Sequence, residues 1–99
     1  MLEIEDLLKL IKKKGFSNTL HVLATFENYK ADKHVFYDEL NKISYYNSFI
    51  RIKDELLERG LIQLKTYGST RYIILTEKGI EIYDKLTEIN KLVMIKTKG

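Results

Sequence analysis

Residues 56–79 read LLERGLIQLKTYGSTRYIILTEKG. A charged helical segment runs into Gly60, a residue that ends helices because it tolerates a left-handed backbone. Two short apolar runs follow, Leu61 to Leu64 and Tyr72 to Leu75, separated by the turn-forming Tyr67-Gly68-Ser69-Thr70. Thr76 then stands where a new helix can begin. The segment predicts a hairpin near 61–66 and 70–76, held between a helix ending at 59 and one running from about 77 to 95.

Upstream, the apolar positions recur at helical spacing. Ile4, Leu7, Leu8 and Ile11 share one face of a helix over 2–14, with Glu3, Glu5 and Asp6 in its first turn. Lys12, Lys13 and Lys14 fall in its last turn, so both ends complement the helix dipole, and Gly15 reads as its stop. The three lysines are read mainly as this dressing and secondarily as an anion-binding patch. A second helix is expected over 18–29, capped by Ser17 or Asn18, with Leu20, Leu23, Ala24 and Phe26 inward and His21 beside them. KADKHV, 30–35, allows a short edge strand.

A helix over 36–42 follows, with Phe36, Leu40 and Ile43 as core contacts. Ser44-Tyr45-Tyr46-Asn47 breaks the pattern, and a helix over 47–59 buries Phe49, Ile52 and Leu56. Two helices joined by a few residues, the second polar on its outer side, form a helix-turn-helix. The last helix carries Ile80, Ile82, Tyr83, Leu86, Ile89, Leu92, Val93 and Ile95, too many for a stripe against one small core. Ile82, Leu86, Ile89 and Val93 are spaced 4, 3 and 4, the seam of a short coiled coil, which Ile4, Leu8 and Ile11 of the first helix would enlarge. A second copy of the chain is the expected partner; the alternative is that the helix folds back wholly onto its own domain.

Composition narrows the function. Ninety-nine residues make one domain, 1–99, with no linker or repeat. Zero Cys removes disulfides and thiolate metal sites, and His21 and His34 are read as lone histidines, so no metal or cofactor is expected. No apolar run approaches a membrane span, the N-terminus opens acidic, and a cytoplasmic, nucleoid-associated location is the expectation. There is no Gly-rich phosphate loop, H-E-x-x-H, G-x-S-x-G or Cys nucleophile, and the carboxylates alternate with lysines on helix faces. An enzyme is not expected. Net charge is +3, with sequence pI near 9.0, a weak preference for anionic partners.

Ile43-Ser44, Leu56-x-x-x-Gly60-Leu61-Ile62 and Tyr72-Ile73-Ile74-Leu75-Thr76-Glu77-Lys78-Gly79 together resemble winged helix-turn-helix transcriptional regulators. The pattern is similar to MarR-like and PadR-like regulators, and more similar to small archaeal winged-helix proteins that dimerise through a long C-terminal helix. It spans roughly 17–95. The resemblance implies an α+β fold in which a three-helix core and two-stranded wing, 18–76, lie between helices 2–14 and 77–95. It also implies a homodimer on double-stranded DNA, recognition helix in the major groove and wing on the backbone or minor groove. Tyr45-Tyr46 departs from the small or polar residues commoner at the helix approach.

The residues in those places suit that task. The segment 61–76 contains Lys65 and Arg71 and no acid, and its tip offers Tyr67, Ser69 and Thr70. Asn47, Ser48 and Arg51 begin the recognition helix on its polar side, while Glu55 and Glu58 would repel phosphate from its far end. Tyr45 and Tyr46 are further candidates, one for the core and one for the surface, and Lys42 and Lys53 are weaker ones. Each has a plainer alternative: Arg51 pairing with Glu55 or Glu58 along the helix, and Lys65 and Arg71 as solubilising sheet charges. A winged helix used for protein–protein contact is the competing function.

Overall fold

The wing is set by alternation. In the computed structural model, which describes the backbone of residues 4–44 and 46–95 and their side chains except at 4–7, 14 and 46, β2 (Ile62–Tyr67) pairs antiparallel with β3 (Thr70–Leu75). Ile62 lies opposite Leu75, and Leu64 opposite Ile73. These four turn toward the helices while Gln63, Lys65 and Tyr72 take the other face. Gly68 makes the tip at a φ of 60°. A third strand, β1 (Lys30–Asp32), pairs antiparallel with the outer side of β3, giving the order β1-β3-β2. It is the edge strand expected from KADKHV, cut to three residues because the Asp32 carboxylate accepts a 2.8 Å hydrogen bond from the His34 backbone N–H and starts a helix.

Five α-helices surround this sheet: α1 (Ile4–Lys12), α2 (Lys14–Ala24), α3 (Lys33–Asn41), α4 (Tyr46–Glu58) and α5 (Glu77–Met94). The join between the first two is where the sequence misleads. Gly15 does not stop α1. The chain bends at Lys13, and Gly15 lies in the first turn of α2, with Ser17 and Asn18 inside the helix they were expected to cap. Its missing side chain serves packing: a Cβ there would collide with the Ser48 carbonyl oxygen and lie 2.9 Å from Ile52 Cγ2, so glycine lets α2 and α4 approach closely. α2 also ends five residues short of the expected 29. The chain leaves it through a 3-10 turn, Glu27–Tyr29, in which Asn28 and Tyr29 adopt left-handed φ of 58° and 56°.

Gly60 does end α4. It sits at φ 73°, its N–H bonds to the Leu57 carbonyl, and the Leu61 N–H reaches back to that of Leu56, the Schellman arrangement, with both leucines buried. Thr76 then ties the wing shut. Its hydroxyl accepts from the Gly79 N–H at 3.0 Å, capping α5, and donates to the Gly60 carbonyl at 2.6 Å. Gly79 is pressed against the Leu61 carbonyl and the Leu75 side chain, so α5 begins flush against the base of the hairpin.

The core lies between α2, α3, α4 and the inner sheet face. Phe16, Leu20, Leu23, Phe36, Leu40, Phe49, Ile52, Leu56, Ile73 and Leu75 are all buried, with Phe36 and Phe49 meeting edge to face at 4.9 Å. Leu10 and Phe16 belong to this core and were not foreseen. Ile43, expected inside, is 53% exposed because α3 has already ended at Asn41 and the turn carries residue 43 outward. The first half of α5 packs through Ile80, Ile82, Tyr83 and Leu86; from Ile89 onward its apolar residues are exposed.

Candidate nucleic-acid interface

The outer face of α4 follows from what it buries. With Phe49, Ile52 and Leu56 inward, the exposed stripe is Asn47, Ile50, Arg51, Asp54 and Glu58. Arg51 forms no ion pair with the carboxylates expected to hold it. Glu55 is turned instead toward α1–α2, where it takes the Lys13 ammonium at 2.9 Å and the Arg59 guanidinium at 3.6 Å. Asp54 therefore replaces Glu55 as the acid on the outer stripe. Lys13 is occupied by the same contact; of the lysine run only Lys12 lies in the last turn of α1, since Lys13 precedes α2 and Lys14 begins it.

Ser48 is half-buried, its hydroxyl 2.8 Å from that of Ser44, and its carbonyl faces Gly15. Its side chain thus braces the turn before α4. Tyr45 lies outside the described residues; Tyr46 is the first residue of α4, with its side chain outside them too. Lys42, in the turn, pairs with Glu39 at 2.8 Å, and that hydrogen bond, with the carboxylate charge behind it, holds its ammonium pKa above the ordinary lysine value.

The strand register separates the two wing cations. Lys65 stands beside Tyr72 on the outer face, whereas Arg71 stands opposite Thr66 on the inner face, beyond the core and turned toward the helix-turn-helix. Tyr67 is exposed at the tip but not isolated: its ring meets that of Tyr72 at 5.7 Å, and the Lys30 ammonium lies 4.8 and 4.4 Å from the two ring centres. Ser69 and Thr70 complete the tip, the former exposed and the latter half-buried.

Arg71 does not act alone. Between the inner wing face, α3 and α4 lies a crevice of about 290 Å³, with Phe49 and Leu64 among its walls and Lys33, Lys53 and Arg71 around it. Lys65 also borders it. Sequence reasoning ranked Lys53 low and missed Lys33; the signal was there in its position as the first residue of a helix paired to the wing by β1.

The expected self-contact residues divide. Ile82 and Leu86 are half-buried against their own core, while Leu8, Ile11, Ile89 and Val93 are exposed, Val93 at 74%. Ile4 is the first residue of α1, with its side chain outside the described residues. A groove of about 640 Å³ runs along Ile11, Leu20, Leu86, Ile89 and Val93, leaving Leu8 outside it. His21 and Tyr83 border it, His21 Nδ1 lying 2.8 Å from the Tyr83 hydroxyl. Among the described residues no cluster of three or more His, Cys, Asp or Glu could hold a metal ion, and no helix is long and apolar enough to cross a membrane.

No protein-family model matches this chain, and no curated protein does. Among solved structures it is similar to F93 from STIV, a winged-helix DNA-binding protein, with a TM-score of 0.71 at 20% identity. The likeness covers 84% of this chain and 94% of that one. The helices α2, α3 and α4 with the β2–β3 wing are therefore a winged helix, in an α+β fold flanked by α1 and α5.

Proposed function

We propose that this chain is a homodimeric double-stranded DNA-binding protein that regulates transcription, placing the start of α4 in the major groove and the wing on the backbone or minor groove. The observation that carries the reading is where the unpaired cations stand. Lys33, Arg51, Lys53, Lys65 and Arg71 lie on α3, α4 and the wing without a carboxylate partner among the described residues. Lys13, Lys42, Arg59 and Lys85 are each engaged by an acid. Among the described residues Lys9, Lys12, Lys30, Lys78 and Lys91 lack such a partner as well, so it is the grouping on α3, α4 and the wing that suits phosphate, and Asn47 with Arg51 supplies donors for base edges at the end of α4 that a helix-turn-helix inserts. The fold shared with a winged-helix DNA-binding protein supports the same reading. The exposed ends of α1 and α5, with the groove between them, supply the self-contact through Leu8, Ile11, Ile89 and Val93.

The test is anisotropy titration of a labelled duplex across a salt series. Binding should weaken linearly on a log–log plot, with a slope of roughly 0.9 per phosphate neutralised. A second reading has its own observation: Ile50 and Leu64, 41% and 47% exposed, put apolar surface on α4 and the wing, as a protein partner would require. Absence of duplex binding at about 50 mM salt would favour that reading, since electrostatic binding is strongest at low salt.

A further inference from the structure

We infer that the crevice between the wing and the helix-turn-helix is a phosphate-group site, in which Lys33, Lys53 and Arg71 converge on one anion. The inference deepens the DNA-binding reading and rests on it in part. Three features carry it. The crevice is concave and bordered by four cations, Lys33, Lys53, Lys65 and Arg71, and, among the described residues, by no carboxylate. Gathering like charges at a low-dielectric wall of Phe49 and Leu64 raises their mutual repulsion, which an anion relieves. The three converging cations, Lys33, Lys53 and Arg71, come from three separate elements, the first turn of α3, the middle of α4 and the inner face of β3, so the folded chain brings them together.

The register adds a condition. Arg71 is directed inward by its pairing with Thr66, on the same face as Leu64 and Ile73. An arginine there presents a forked donor that suits a phosphate's oxygens, and Lys53 and Lys33 act as point charges beside it. Lys33 also lies 5.6 Å from the centre of the Tyr37 ring, which restrains it on that side of α3. The ligand chemistry is a phosphate ester, supplied either by a DNA strand lying across the wing or by a free organic phosphate competing with it.

Two arms separate the sources. In the first, a labelled duplex is titrated over a salt series with wild-type protein, Lys53→Gln, Arg71→Gln, the double variant, and Lys85→Gln as a remote control. Each crevice variant should weaken binding, and the double variant should flatten the salt slope by roughly 0.9 for each crevice phosphate no longer neutralised, with the control unchanged. Because both residues hold one phosphate, the double variant should lose clearly less than the product of the two single losses. Multiplicative losses, or no loss from either variant while wild type binds duplex, overturn the site and leave DNA binding standing. If wild type binds no duplex, the DNA reading fails and the second arm decides. AMP is titrated into isotope-labelled protein: shifts confined to Lys33, Lys53, Arg71 and their neighbours sustain the site for a free phosphate, and their absence overturns it.

Discussion

The backbone of Gly15 lies against the carbonyl oxygen of Ser48, with no room between them for a Cβ. This contact joins α2 to α4 at the end that carries Asn47 and Arg51, so the seat of the proposed recognition helix is set by a residue without a side chain. Gly15→Ala must push α4 aside or distort α2. It should destabilise the fold by about 1–3 kcal/mol, the usual cost of overpacking. Urea unfolding measures it; an unchanged midpoint would mean that the two helices do not approach this closely.

Thr19 offers the opposite experiment. It is fully buried in α2, and its hydroxyl has no hydrogen-bond partner among the described residues. Thr19→Val removes the unsatisfied group while keeping the branched shape. The variant should gain roughly 1–3 kcal/mol, the desolvation penalty of an unpaired hydroxyl, read as a higher thermal midpoint. A loss of stability would show that the hydroxyl is satisfied.

For the proposed dimer the informative position is Val93. Leu86 packs partly on its own core, so a charge there would disturb the fold as well as any partner. Val93, exposed in the single chain, can take a glutamate without that cost. Val93→Glu should keep the wild-type circular dichroism spectrum and sediment as a monomer at tens of micromolar, where wild type should sediment as a dimer. Identical sedimentation of the two proteins would exclude this part of α5 from the self-contact.

Arg51 should discriminate between sequences. As a base contact it contributes about 1–3 kcal/mol of preference, so Arg51→Ala should lose more affinity on a selected duplex than on random DNA. Competition titrations give the ratio. Equal losses on both would make Arg51 a backbone contact.

The hairpin, β1, α4 and α5 were legible in the sequence to within a few residues, because alternation, Gly60 and Thr76 are local signals with local consequences. The α1–α2 junction was not. A glycine after three lysines is also the residue that permits close helix packing, and only the position of Ser48, 33 residues away, decides between the two. Phe16 could have been found: with Leu20 and Leu23 it repeats at spacings of four and three, but a helix begun at 18 excludes it. Leu10 is masked in the sequence because Ile4, Leu7, Leu8 and Ile11 already fill a helical template. In the candidate interface, the separation of Lys65 from Arg71 follows from alternation once Ile62 and Leu64 are known to face inward. The company Arg71 keeps does not, since Lys33 and Lys53 reach it only through tertiary packing.

Asp32 ends β1 opposite Tyr72 of the wing and, through its carboxylate, begins α3. No linker lies between the sheet and the helix-turn-helix, and on the other side Thr76 fastens the hairpin to the end of α4. Wing and helices are thus joined by direct contacts on both sides of the hairpin. Such a frame acts as a gauge. In the proposed DNA complex, a duplex whose groove spacing fits it would meet donors already in place, with little ordering left to be done on contact. One of the wrong width must itself deform, so the frame could select DNA by its shape at base pairs that no side chain touches.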